Sequence, residues 1–261
     1  MAKVLEALIA KGRRVRRPRE QKEVAFGLCD LSTHTELHER IVKKGGIKSL
    51  VNLLAGSQDN EAQRFAALAI GNCASASYNR LAIVAEGCLT TLVDYSAAEG
   101  NDLIGRQYCA MALGNLAAEP MNHEEIVKSE GINALMCLLK TEDIESGRYA
   151  AFALSNLAAN ANHRQQIVDE GGAAALAALR VQPRSGGPAR GVAAAARRAS
   201  LWGAYCALTD SLEGMNALSC PSQALPSHPS AATPSGLWQY CFCTGAFPLV
   251  VCVRVWGGHL L

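Results

Sequence analysis

Residues 64–74 read RFAALAIGNCA, residues 107–117 QYCAMALGNLA and residues 148–158 RYAAFALSNLA. Their asparagines, Asn72, Asn115 and Asn156, fall 43 and 41 residues apart. Two other signals keep the same period. Ile-Val pairs stand at Ile41-Val42, Ile83-Val84, Ile126-Val127 and Ile167-Val168, at separations of 42, 43 and 41. After each pair comes a glycine-containing break and an apolar run: KKGGIKSLVNLL, AEGCLTTLVDYS, SEGINALMCLL and DEGGAAALAAL. Leu50, Leu92, Leu135 and Leu176 anchor those runs. Three signals sharing one period mark an internal repeat of 41–44 residues.

Each unit reads as three helices. The first is short and ends at Glu-Gly or Gly-Gly, where glycine can take the left-handed conformation that closes a helix. Asn79, Asn122 and Asn162 are its expected N-caps. The second carries the Leu50-type run. The third is long and is expected to start near Arg64, Gln107 or Arg148. A degenerate copy, QKEVAFGLCDL (residues 21–31), places Leu28 at the asparagine position. One unit alone leaves an apolar face bare, so units must stack into one continuous core.

Composition agrees. The chain has 261 residues, 49% hydrophobic but only 5% aromatic. Alanine and leucine fill the difference, which suits closely packed helices better than sheets. Charge is unevenly spread. Residues 1–20 hold seven Lys/Arg against Glu6 and Glu20, whereas residues 21–180 hold 13 basic and 19 acidic residues, a net of −6. An acidic body argues against nucleic acid as the main ligand. The ten cysteines form no CxxC pair, and Cys29, Cys73, Cys88, Cys109 and Cys137 sit singly in apolar helical patterns. That usage points to a reducing compartment, the cytoplasm or nucleus. The N-terminal MAKVLEALIAKGRR interrupts its apolar stretch with Glu6 and carries no cleavage signature, so it is not a secretory signal.

The triple-helix period, the GGI-x-x-L-V-x-L-L run and the A-L-x-N-L-A ending resemble armadillo repeats over residues 18–180. Complete units run from about Thr35 to Ala76, Tyr78 to Ala118 and Met121 to Ala159, with partial units at both ends. Among armadillo proteins the chain is most similar to vacuole-associated, beta-catenin-like and ciliary types. The resemblance implies an all-α, right-handed α-solenoid whose third helices line a concave groove. It implies protein partners, held there as extended or helical peptides, and no cofactor. The domain division expected is a basic segment 1–19, a repeat body 20–180 and an irregular tail 181–261.

Helix geometry puts positions i, i+4 and i+8 on one stripe. The candidate groove residues are therefore Arg64, Leu68 and Asn72; Gln107, Met111 and Asn115; Arg148, Phe152 and Asn156. In the degenerate unit the same count gives Glu20, Val24 and Leu28. Each asparagine amide can donate to and accept from a peptide backbone; equally, it can hold neighbouring units in register. Leu68, Met111 and Phe152 are expected to add apolar contacts. Arg64 and Arg148 can bind a ligand or pair with Glu61 and Glu145, three residues back. Phe65, Tyr108 and Tyr149, one position on, are expected in the core. The A-L-S-N segment is also similar to importin-alpha, but that family places tryptophan four residues before the asparagine. Leu68, Met111 and Phe152 stand there instead, so the cation–π shelves of a nuclear-signal receptor are missing.

No catalytic constellation accompanies the repeat. Gly45-Gly46 and Gly171-Gly172 end helices and form no phosphate loop. His34 and His38 are four apart but lack a third ligand, and His123 and His163 occupy equivalent repeat positions, where surface packing accounts for them. The chain is thus expected to be a non-enzymatic adaptor. Two alternatives are a regulatory module of a larger signalling enzyme, such as a ubiquitin ligase, and a membrane-associated organiser. Met1-Ala2-Lys3 lacks the glycine that myristoylation needs.

The two ends differ from the body. Residues 11–19, KGRRVRRPR, hold six cations in nine residues, a solvated cap, an anionic-surface patch or an import signal. After residue 180 the pattern fails. Val181–Gly191 reads as a linker, Val192–Leu212 as one further helix and Ser219–Ser235 as disordered. Leu237–Val253 has seventeen uncharged residues, short for a membrane span and broken by Gly245 and Pro248. Solenoids usually close with a polar capping unit; none is legible here, which leaves a truncated or altered C-terminus as one reading of the tail.

Overall fold

The computed structural model describes residues 2–141 and 143–181; the expectations for the segment beyond Val181 lie outside them. Thirteen α-helices follow one another among the described residues, with no strand: α1 (Ala2–Gly12), α2 (Pro18–Ser32), α3 (His38–Lys43), α4 (Gly46–Gly56), α5 (Asn60–Ser75), α6 (Arg80–Ala85), α7 (Leu89–Ala97), α8 (Leu103–Ala117), α9 (His123–Lys128), α10 (Gly131–Leu139), α11 (Ile144–Leu157), α12 (Ala161–Asp169) and α13 (Gly172–Val181). Single 3-10 turns, Thr35–Leu37, Ser77–Asn79 and Pro120–Asn122, lead into α3, α6 and α9. The triplets α3–α5, α6–α8 and α9–α11 are three complete units. Helices α1 and α2 precede them, and α12 and α13 begin another.

Glycines shape the breaks at two successive positions, for different reasons; the second unit has Cys88 at the second position and the third has Glu130 at the first. Gly45, Gly87 and Gly171 take φ of 74°, 76° and 86°, the left-handed region that costs other residues energy. The next glycine is needed for space. A Cβ on Gly46, Gly131 or Gly172 would lie 2.7 Å from the carbonyl oxygen of Ile41, Ile126 or Ile167. In the third unit Glu130 itself runs left-handed, at φ 62°.

The third helices begin a full turn earlier than the sequence suggested. Their N-caps are Asp59, Asp102 and Asp143, whose carboxylates accept from the N–H groups of Ala62, Gly105 and Ser146 at 2.9, 2.8 and 2.7 Å. The first helices depart from expectation too. Asn79 and Asn122 stand at the cap position, but their side chains reach back to the carbonyls of Cys73 and Leu116, at 3.3 and 3.0 Å. At α12 the cap is Asn160, accepting from the N–H of Asn162, and not Asn162 itself.

Stacking follows element type. Helix α5 lies between α2 and α8, with α11 on the far side of α8; α4, α7, α10 and α13 form a parallel row. One core runs from Leu5 to Leu176, and the four anchors Leu50, Leu92, Leu135 and Leu176 are fully buried. Alanines at 66, 67, 69, 110, 112, 150, 151 and 153 are buried and keep the third helices close. Helix α1 packs against α2 and α4, where Ser49 Oγ donates to the carbonyl of Ile9 at 3.1 Å.

Candidate interaction face

The third helices lie side by side in a register set by their asparagines. Asn115 Nδ2 donates to the carbonyl of Gly71 at 2.9 Å, and Asn156 Nδ2 to that of Gly114 at 3.0 Å. Each amide therefore reaches the residue just before the asparagine of the preceding unit. The stripe residue one turn earlier covers the same spot: Met111 packs on Gly71, and the Phe152 ring packs on Gly114. Asn72 Nδ2 reaches Ser32 Oγ at 3.0 Å.

One N–H of each asparagine holds the units in register. The Oδ1 acceptor of each makes no intramolecular hydrogen bond among the described residues. Asn72 and Asn156 are half-buried, while Asn115 is buried. Leu68 and Met111, expected to offer apolar contacts, are buried, at 4% and 2% exposure, Met111 against Gly71 of the preceding unit. Phe152 is half-buried, as are Phe65, Tyr108 and Tyr149 beside the stripe. Burial pushes both tyrosine hydroxyls up from their ordinary pKa.

The degenerate unit is shifted by two residues from the sequence register. His38 Nε2 donates to the carbonyl of Ser32 at 2.7 Å, as His123 Nε2 does to Ala117 at 2.8 Å and Arg80 Nε to Ala74 at 3.1 Å. Ser32, Ala74 and Ala117 are thus equivalent, and two residues back stand Asp30, Asn72 and Asn115. The stripe of α2 is Lys22, Phe26 and Asp30, not Glu20, Val24 and Leu28. Leu28 is fully buried like Ile70 and Leu113, its true equivalents. Phe26 is 56% exposed, its ring edge-on to Phe65 at 5.2 Å.

The basic and amide ends of the stripe tie one unit to the next. Arg64 grips Asp102 with two hydrogen bonds, Nε at 2.7 Å and Nη2 at 2.6 Å, rather than pairing with Glu61. Gln107 Nε2 donates to Asp143 Oδ2 at 2.8 Å. Lys22 meets Glu61, and Arg148 meets Glu145 within its own helix. The Arg64 guanidinium holds the Asp102 carboxyl below its ordinary pKa, against the opposing effect of burial. Burial raises the Asp143 carboxyl, but hydrogen bonds from Ser146 and Gln107 outweigh it and the net shift is downward. These capping aspartates were missed in the sequence. Each stands thirteen residues before its asparagine, a recurrence that could have revealed them.

The histidines are packing groups. His38, His123 and His163 are buried instead of lying at the surface, and two of them donate to third-helix carbonyls. Among the described residues no group of three or more His, Cys, Asp or Glu is placed to hold a metal ion, and no helix is long and apolar enough to cross a membrane.

No protein-family model matches the chain, and neither does any curated protein. Solved structures do. An engineered protein from a structural genomics programme is 23% identical, with a TM-score of 0.69 over 79% of this chain and 81% of its own. A second, 29% identical, has a TM-score of 0.68 over 78% of this chain but only 47% of its own length. A designed armadillo repeat protein solved with the peptide (KR)4 is 19% identical, with a TM-score of 0.67 over 78% and 81%. The fold is of the armadillo-repeat type, an all-α solenoid.

Proposed function

We propose that the chain is a non-enzymatic interaction scaffold that holds a peptide segment of another protein along the face formed by α2, α5, α8 and α11. One observation carries this: at each repeat an asparagine spends one N–H on the preceding helix and keeps its Oδ1 uncommitted, beside half-exposed aromatic rings. Such a row matches the alternating donors and acceptors of an extended main chain. Stacking fixes the row in advance, so little ordering cost falls on the receptor. The designed armadillo protein solved with a peptide gives the reading a precedent on the same fold. The free thiols at Cys29, Cys73, Cys88, Cys109 and Cys137 support the cytoplasm or nucleus as its place of work.

The face is tested by selecting binders from a random peptide display library against the full chain. Affinities of the selected peptides are then measured for Phe26→Ala and Asn72→Ala. Phe26 is largely exposed, so its loss leaves the fold intact, as circular dichroism checks. The expected result is binding weakened by about fivefold or more in each variant. A library that yields no binder, or binders indifferent to both changes, would overturn the proposal.

A further inference from the structure

We propose that the α1–α2 loop and the start of α2 form a fixed basic ledge that docks an acidic segment of a partner protein. The cationic run is not a loose tail. Arg14 and Val15 donate their N–H groups to the carbonyl of Lys11 at 3.0 and 2.9 Å, and Gln21 N–H donates to Arg17 at 3.0 Å. Val15 is buried at 7% exposure, and Arg13 Nη2 donates to the carbonyl of Lys44 at 3.1 Å. A segment pinned in this way is not available as an extended import signal. Its outward side chains are held on a set backbone, which lowers the ordering cost of contact.

The charge is largely unanswered. Arg14 and Arg16 flank Val15, are exposed, and make no ion pair among the described residues. Glu23 is shared between Lys11 at 3.9 Å and Arg19 at 3.6 Å, and Glu20 lies 3.7 Å from Arg17. Two carboxylates, one exposed and one half-buried, therefore face six cations. The side chains of Arg17 and Arg19 keep 84% and 93% of their exposure, so these contacts hold them weakly. Guanidinium forks match carboxylates in a bidentate manner.

Size decides the kind of partner. A duplex or an anionic bilayer reaches well past nine residues, onto a body whose net charge is −6. A short acidic segment gains the attraction without that repulsion. The exposed ledge also lacks the large apolar side chains that membrane-surface binders insert; its one apolar member, Val15, is buried.

The test uses the full chain and a fluorescent octaglutamate peptide, read by anisotropy at low and physiological salt. Binding that weakens with salt is expected, and Arg14→Glu with Arg16→Glu should weaken it at least about tenfold. Arg14→Gln with Arg16→Gln should give a smaller loss, which guards against misfolding of the reversal variant. Phe26→Ala should leave this binding unchanged. No binding of octaglutamate, equal binding by the reversal variant, or tighter binding to phosphatidylserine vesicles or duplex DNA would each overturn the proposal.

Discussion

At Glu130 the chain turns left-handed where the neighbouring units use Gly87 and Gly171. A side chain with a Cβ costs about 1 kcal/mol there. The exposed bond from Asn133 Nδ2 to Glu130 Oε2, at 2.5 Å, returns little of it. Glu130→Gly should therefore raise stability by about 0.5–1 kcal/mol, less the entropy glycine adds to the unfolded chain. Urea denaturation measures it, and a fall in stability would contradict it. Gly71 and Gly114 make a sharper pair. A Cβ on Gly71 would meet the flexible Met111 methyl at 2.5 Å, whereas on Gly114 it would meet the rigid Phe152 ring at 2.6 and 2.9 Å. Alanine also improves helix propensity by about 1 kcal/mol. Gly114→Ala should destabilise by about 1–3 kcal/mol, and Gly71→Ala by less than half as much. The glycine-asparagine pair was visible in the sequence, but its use was not. It needs the partner helix to show that glycine opens room for one side chain while its carbonyl takes the amide of another.

At the scale of the element, Asp102 does two jobs at the start of α8. It caps the helix through Gly105 N–H and receives the Arg64 guanidinium from the unit before. Asp102→Ala loses both and should cost about 1–3 kcal/mol; Asp102→Asn keeps an acceptor for the cap and should cost about half of that. Because Arg64 depresses the folded-state pKa of Asp102, the ion pair's contribution is present above the ordinary carboxylate pKa. It fades as pH falls through the depressed value. The gap in Tm between wild type and Asp102→Asn should thus be full at neutral pH and shrink on acidification below the ordinary carboxylate range. A gap that stays constant would mean that Arg64 adds nothing. The starts of the third helices were misplaced in the sequence because the apolar pattern begins only at the second turn. The first turn belongs to the cap, and its apolar residues, Leu103, Ile104 and Ile144, are exposed and stand outside the repeated buried pattern. The α2 register slipped for a related reason. With Asp30 where the other units have asparagine, Leu28 offered the stronger apolar cue, yet it belongs to the buried face with Ile70.

For the whole molecule, the period alone settled the architecture, since units that cannot bury their own faces must stack. What the period could not convey was which contacts bind the stack. Those depend on pairs about 36 to 44 residues apart, such as Gln107 with Asp143 and Asn115 with Gly71. If stability is carried by such neighbour contacts, opening should be local rather than all-or-none. The cysteines report it. Burial pushes the thiols of Cys29, Cys73 and Cys88 up to about 12, and raises that of Cys109 as well, so none reacts while covered. Among the cysteines of the described residues, Cys137 is the exposed one and should label before the other four. Asp102→Ala weakens the junction between the first and second complete units. Labelling of Cys88 and Cys109, followed by peptide mass spectrometry, should then accelerate more than labelling of Cys29, which lies beyond α5. Equal acceleration at all the buried sites would show that the stack opens only as one body, because a purely local loss cannot reach Cys29 without carrying α5 with it.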